Sequence, residues 1–157
     1  MRMHVPIVVT LLIAHAAFLM VGAYAESLQV VRLTEKVWGF VLPDGFADST
    51  GRYIMPVLFP LDLIVMVLVA GATAWAAATW GPQISGWPVV LFLVLPLAYL
   101  AFDLVEDGLL ILVLGKCIAA GSVSTVLPLL TKAKIVTFVG TWIVAVGTGA
   151  LAYWRTA

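Results

Sequence analysis

Long apolar runs, separated by short polar segments, are the main pattern of this chain. Four of them are each longer than the roughly 20 residues that a helix needs to cross the hydrocarbon of a bilayer. We predict membrane-spanning helices at these four places, over about residues 5–25, 53–79, 88–114 and 134–154. The predicted fold class is all-α: a polytopic integral membrane protein that forms a four-transmembrane-helix bundle in a single membrane domain, 1–157.

Two of these spans allow a second interpretation. Arg2, the apolar run and Ala23-Tyr24-Ala25 are together typical of a secretory signal with a cleavage site. The run is longer than the apolar core of an ordinary signal, so we expect an uncleaved span. Residues 108–130 could also form a span of their own, with the third span ending at Phe102. This would shorten the third span and bury a lone lysine, so we predict residues 115–133 to be a connection.

The segment between the first two spans, residues 26–52, is the longest connection. Within it, residues 28–42 mix apolar side chains with Arg32, Glu35 and Lys36. This mixture is typical of a helix that lies in the headgroup region of a membrane. An ordinary packed loop fits the same residues equally well. In either form the segment could cover a site inside the bundle as a lid.

The composition limits the classes of function. Of the 157 residues, 64% are hydrophobic and 10% are charged, and the mean hydropathy is +1.16. Eight basic and eight acidic side chains give a net charge of zero, so no nucleic-acid partner is predicted. One cysteine and two histidines exclude a disulfide, a thiolate metal cluster and a three-histidine zinc site within one chain. Phosphate-loop and zinc-protease motifs are absent.

The distribution of positive charge predicts an orientation. The first and third connections carry six Lys and Arg residues, whereas the opposite side carries only Arg2 and Arg155. By the positive-inside rule this count favours both termini outside the cytoplasm, in a bacterial-type inner membrane. The signal-like first span favours the reverse orientation, in which Arg2 stays in the cytoplasm. A membrane protein with only four spans would be small for a transporter. Besides the lipid bilayer, we therefore expect a second copy of the chain in a homo-oligomer, or partner membrane subunits.

Three acids, Asp103, Glu106 and Asp107, lie within the third apolar run, and no basic residue lies among them. On an insertion scale, three central acids cost about 8–10 kcal/mol, and the apolar residues of the run return about 5–11 kcal/mol. The helix can therefore insert only if the acids face protein, water or a cation, or hold protons. Ionisable residues inside membrane spans usually mark a transport pathway, a proton relay or a ligand site.

Polar groups of the other spans fall at nearly the same depth as these acids. With a helix rise of 1.5 Å per residue, His15, Asp62, Glu106 and Thr141 lie about 14–16 Å below the side that carries the first and third connections. A single polar residue in each span could arise by chance, but a shared depth in all four favours a common site.

The third helix also places its polar residues on one face. Tyr99, Asp103, Glu106 and Asp107 follow a helical period, and Tyr99 is one turn from Asp103, which it could hydrogen-bond. The candidate ligand- or ion-binding residues are therefore His15, Asp62, Tyr99, Asp103, Glu106, Asp107 and Thr141.

Three functions are compatible with such a site. The first, which we favour, is the binding and movement of a proton or a small cation; carboxylates suit Na⁺, Mg²⁺ or Ca²⁺, and His15 would extend the choice to transition metals. The second is an intramembrane enzyme in which Asp62 and Glu106 perform acid–base catalysis on a lipid, sterol or prenyl substrate. The third is an accessory subunit whose acids pair with Arg52, Lys116 or a partner chain. No cofactor other than a bound cation is indicated.

Overall fold

The structure, a computed structural model, describes residues 4–28, 30, 39, 47–85 and 89–156, and no strand is present in these ranges. Its helices are α1 (His4–Ser27), α2 (Ala47–Arg52), α3 (Leu63–Ser85), α4 (Val89–Leu114), α5 (Ala120–Val123) and α6 (Val126–Thr156). A kinked segment, Tyr53–Asp62, joins α2 to α3.

Three helical stretches are long and apolar enough to cross a membrane: Val5–Ser27, Thr50–Ile84 and Val126–Arg155. The predicted all-helical, membrane-compatible fold is thereby confirmed for three spans. In the most apolar parts of the first and third stretches, only 17% of residues are buried inside the protein, which leaves most side chains facing outward. Helix α4 is also long, but its three acids distinguish its composition from that of these three stretches.

Helices α3, α4 and α6 pack against one another, and α1 packs against α3. One apolar core joins α1, α3, α4 and α6 through Ile7, Met66, Trp80, Tyr99 and Ala145. A second core, around Val57 and Leu110, joins the kinked segment to the C-terminal half of α4 and the start of α6. The acids of α4 lie along the helix between Tyr99 of the first core and Leu110 of the second.

The kinked segment contains two breaks in the helical backbone. Met55 (φ −129°, ψ 120°) and Phe59 (φ −139°, ψ 123°) are extended, and each precedes a proline, Pro56 or Pro60. A proline ring disfavours the helical conformation of the residue before it, which explains why both breaks occur there. Helical structure resumes at Pro60, and Asp62 therefore lies in the first turn after the second break.

Two boundaries bear on the sequence predictions. Helix α4 runs without interruption through its acids to Leu114, which excludes a separate span over residues 108–130. Helix α6 begins at Val126 instead of Lys134, so Lys134 lies about two turns inside it. Most of the predicted headgroup helix, residues 28–42, lies outside the described residues.

Candidate functional site

Three carboxylates converge inside the bundle. Oxygen atoms of Asp62, Asp103 and Asp107 all lie within 4.8 Å of one another. Asp103 and Asp107 are buried, and Asp62 is half-buried. Asp103 and Asp107 share a face of α4 because they are four residues apart. Asp62 meets them from the end of the kinked segment, which contacts α4. We call these three residues the acidic cluster.

The local sequence explains how Asp62 is held at this depth. Pro60 restarts the helix after the extended Phe59, and proline is well suited to the first helical position. Asp62 follows two residues later, where the positive end of the helix dipole favours a carboxylate. The break thus creates a helix start inside an apolar stretch and places an acid in its first turn.

A lysine on the facing helix contacts the same group of acids. The Lys134 ammonium forms an ion pair with the Asp103 carboxylate and lies 3.0 Å from Glu106 Oε2. Its side chain is only 17% exposed, and it also interacts electrostatically with Asp62 and Asp107. The sequence did not indicate Lys134 as part of the site, because its pattern placed this residue at the start of the fourth span.

Glu106 is held by two groups of α6. It is fully buried, at 0% exposure, and its Oε1 accepts a hydrogen bond from the Thr131 hydroxyl while Oε2 faces Lys134. Thr131 and Lys134 are three residues apart and therefore share a helix face. Helix α6 thus presents a hydroxyl and an ammonium together to the acids of α4.

Two buried tyrosines flank the carboxylates. Tyr99, which the sequence indicated, is 1% exposed and interacts electrostatically with Asp103. Tyr53, which the sequence did not indicate, is 5% exposed and interacts in the same way with Asp62 and Asp107. Its role was hidden because the extended residues after it break the helical period. Phenol groups can donate a hydrogen bond to a carboxylate or accept one from a protonated acid.

The remaining two predicted site residues lie elsewhere. His15 packs edge-on against Trp142, with ring centroids 5.3 Å apart and ring planes at 78°. It lines a separate apolar cavity and is not part of the acidic cluster. Thr141 is 1% exposed, and its hydroxyl oxygen has no hydrogen-bond partner among the described residues. The structure therefore brings Asp62, Tyr99, Asp103, Glu106 and Asp107 together without His15 and without a hydrogen bond from Thr141.

A small cavity adjoins the ion pair between Lys134 and Glu106. Its volume is about 140 Å³, and its lining includes Tyr99, Thr131 and Phe138 besides the two charged groups. A cavity of this size with several polar groups in its wall has room for water.

The donor set of the acidic cluster defines its chemistry. Three carboxylates offer only oxygen atoms, which suit protons and hard cations such as Na⁺, Mg²⁺ or Ca²⁺. Imidazole and thiolate ligands, which transition metals favour, are absent from the cluster. Carboxylates this close in a poorly solvated place repel one another unless a proton or a cation lies between them.

No family model, no curated protein and no solved structure matches this chain. The geometry of the site is therefore the basis for assigning a function.

Proposed function

We propose that the acidic cluster binds a proton or a small hard cation and moves it across a membrane. The observation that carries this proposal is the convergence of three carboxylates, from two separate helical elements, within 4.8 Å inside an apolar bundle. Their arrangement provides the oxygen ligands that a proton or hard cation needs. Such groups inside membrane-compatible helices commonly form transport pathways.

In this proposal, Lys134 acts as an internal counter-ion. With no cation bound, its ammonium neutralises part of the charge of Asp103 and Glu106, which it contacts directly. An arriving cation or proton weakens this attraction, and the long lysine stem can then turn toward the adjoining cavity. The arriving cation or proton would thus replace the Lys134 ammonium, and the negative charge of the carboxylates would stay neutralised throughout.

Helix α4 is a fourth membrane span in this proposal. Its acids face the interior, whereas Leu97, Leu104, Val105 and Leu112 on other sides of the helix are 41–60% exposed. A helix with an apolar outer surface and inward acids can sit in lipid. Even without Lys134, which contacts the acids inside the bundle, more Lys and Arg residues lie on the side of the first and third connections than on the opposite side. In this proposal both termini are therefore outside the cytoplasm, in a bacterial-type inner membrane, and the small size of the bundle favours a homo-oligomer or partner subunits.

The test is ion flux through purified protein in liposomes that contain a pH-sensitive or cation-sensitive dye. Asp62→Asn keeps the shape of the side chain but removes one of the three charges, and we expect it to abolish flux. Glu26→Gln is the matched control, because Glu26 is exposed near the end of α1 and outside the cluster. Wild-type flux in Asp62→Asn would overturn the proposal.

The enzyme hypothesis makes a different prediction in the same preparation. If Asp62 and Glu106 act as an acid–base pair, both Asp62→Asn and Glu106→Gln should stop turnover of a membrane lipid while ion flux is absent from the wild type. The geometry favours this hypothesis less, because neither carboxylate lines the large apolar cavity that could hold a lipid. An accessory subunit would show neither flux nor turnover when purified alone.

A further inference from the structure

A second cavity lies along the C-terminal half of α6, between α1, α3 and α6. Its volume is about 660 Å³, and its walls include Leu11, His15, Trp80, Trp142, Val146 and Tyr153. Small-molecule sites usually measure about 300–1,000 Å³ and combine apolar and aromatic walls with few polar groups. No residue of the acidic cluster lines this cavity, so a ligand here would bind independently of the proposed ion transport.

His15 and Tyr153 are the ionisable groups in the wall of this cavity, and His15 is the one that lies at mid-depth in the bundle. Among the described residues it forms no hydrogen bond, and its one ring neighbour is Trp142. The His15 side chain is exposed from the protein, but the cavity walls around it are apolar. An imidazole carries both a donor and an acceptor, and a polar group without a partner in apolar surroundings is costly. A ligand that brings one oxygen atom to His15 would remove this cost.

The depth of His15 limits what that ligand can be. The residue lies near the middle of α1, which runs from His4 to Ser27, and so is about 16–18 Å along the helix axis from either end. The ester oxygens of a phospholipid remain near the headgroups and do not reach this depth. A hydrocarbon tail reaches it but has no oxygen to offer. The ligand must therefore be lipid-soluble throughout and still carry an oxygen atom.

We propose that this cavity binds a lipophilic ring compound with a carbonyl oxygen, the chemistry of a membrane quinone. The imidazole of His15 donates a hydrogen bond to the carbonyl, and the indole rings of Trp80 and Trp142 provide flat surfaces for the ring. Leu11 and Val146 contact the hydrocarbon tail. Binding at this place involves no covalent or redox step.

Binding is tested by titrating a decyl-tailed benzoquinone into the full-length protein in lipid nanodiscs and following tryptophan fluorescence. We expect saturable quenching in the wild type. His15→Leu keeps the cavity apolar and should weaken the apparent affinity about fivefold, the value of one hydrogen bond. Val146→Phe should weaken it further, because the added ring occupies the cavity. Equal affinity in His15→Leu and the wild type would overturn the proposal.

Val139→Phe is the matched control for Val146→Phe. Both valines are on α6, they are seven residues apart and similarly exposed, at 48% and 56%, but only Val146 lines the cavity. Quinone affinity should be unchanged in Val139→Phe. Brominated phospholipid is the competitor: if it displaces the quinone at equal concentration, the cavity holds an ordinary lipid chain and the proposal is wrong.

Discussion

The two halves of α6 contact different surroundings. The contrast shows which interactions determine stability and binding in each half. Its first half presents Thr131 and Lys134 to the charged carboxylates of Asp103 and Glu106 on α4. Its second half presents Trp142, Val146 and Gly149 to a cavity that is almost entirely apolar. In the first region charge should decide stability and binding, and in the second region shape should decide them.

The largest loss of stability is expected when a charge is removed from the bundle without a change in the shape of the side chain. Lys134→Met has a similar length but leaves Asp103 and Glu106 without their ammonium. Breaking a buried ion pair by removing one partner costs about 3–5 kcal/mol. We therefore expect a much lower thermal midpoint in detergent. Lys116→Met, at an exposed lysine just after α4, is the control.

A second substitution makes this prediction specific to charge. In the double variant Lys134→Met with Asp103→Asn, one orphaned carboxylate is neutralised, so part of the lost stability should return. A double-mutant cycle separates this coupling from the effect of each change alone. If Lys134→Met and Lys116→Met melt at the same temperature, the ion pairs do not stabilise the bundle and the contrast between the two halves of α6 fails.

The next largest loss of stability is expected when the Thr131 hydroxyl, which lies beside the same ion pair, is removed. Thr131→Val keeps the volume but removes the hydrogen bond to the buried Glu106 carboxylate. Hydrogen bonds to charged groups contribute about 1.5–3 kcal/mol. Thr137→Val is the matched control, because the Thr137 hydroxyl bonds only the backbone of its own helix, at Ala133 and Lys134. A thermal midpoint of Thr131→Val equal to that of Thr137→Val would contradict the prediction.

The apolar runs of the sequence were sufficient to predict the helical class, because length and hydropathy alone determine which stretches can cross a membrane. The start of α6 was harder to place. The predicted connection, residues 115–133, contains Pro128, yet a proline is tolerated in the first turn of a helix, where backbone N–H groups have no helical partner. This error hid Lys134 and Thr131 from the predicted site.

The sequence predicted the positions of some site residues but not of others. The spacing of Asp103 and Asp107 on α4 indicated a shared face, and depth alone placed Asp62 beside them. Depth also suggested His15, but α1 is apolar on all sides, so its sequence does not indicate which face meets a neighbour. The rotation of such a helix follows from tertiary packing, here the contact between His15 and Trp142.

In the apolar half of α6, a change of shape should matter more than a change of polarity. A Cβ atom added at Gly149 would lie 2.6 Å from a ring carbon of Trp80, whereas one added at Gly147 would meet nothing within 4 Å. Overpacking usually costs about 1–3 kcal/mol. Gly149→Ala should therefore lower the thermal midpoint, and Gly147→Ala should not. The opposite ranking would mean that α3 and α6 do not approach each other closely at this point.

The smallest effect is expected for a change of polarity in this same half of the bundle. His15→Leu removes an imidazole that has no hydrogen-bond partner among the described residues, so only its edge-on contact with Trp142 is lost, and the leucine side chain can replace part of that contact. We expect the free energy of unfolding to change by less than about 1 kcal/mol in either direction, since leucine has no polar group to desolvate. The thermal midpoint in detergent, without added quinone, measures this. A large loss of stability would show that polar contacts hold His15. The surroundings of the second half of α6 would then resemble those of its first half. A midpoint near that of the wild type, combined with weaker quinone binding, would show that His15 contributes to a ligand site and not to the fold.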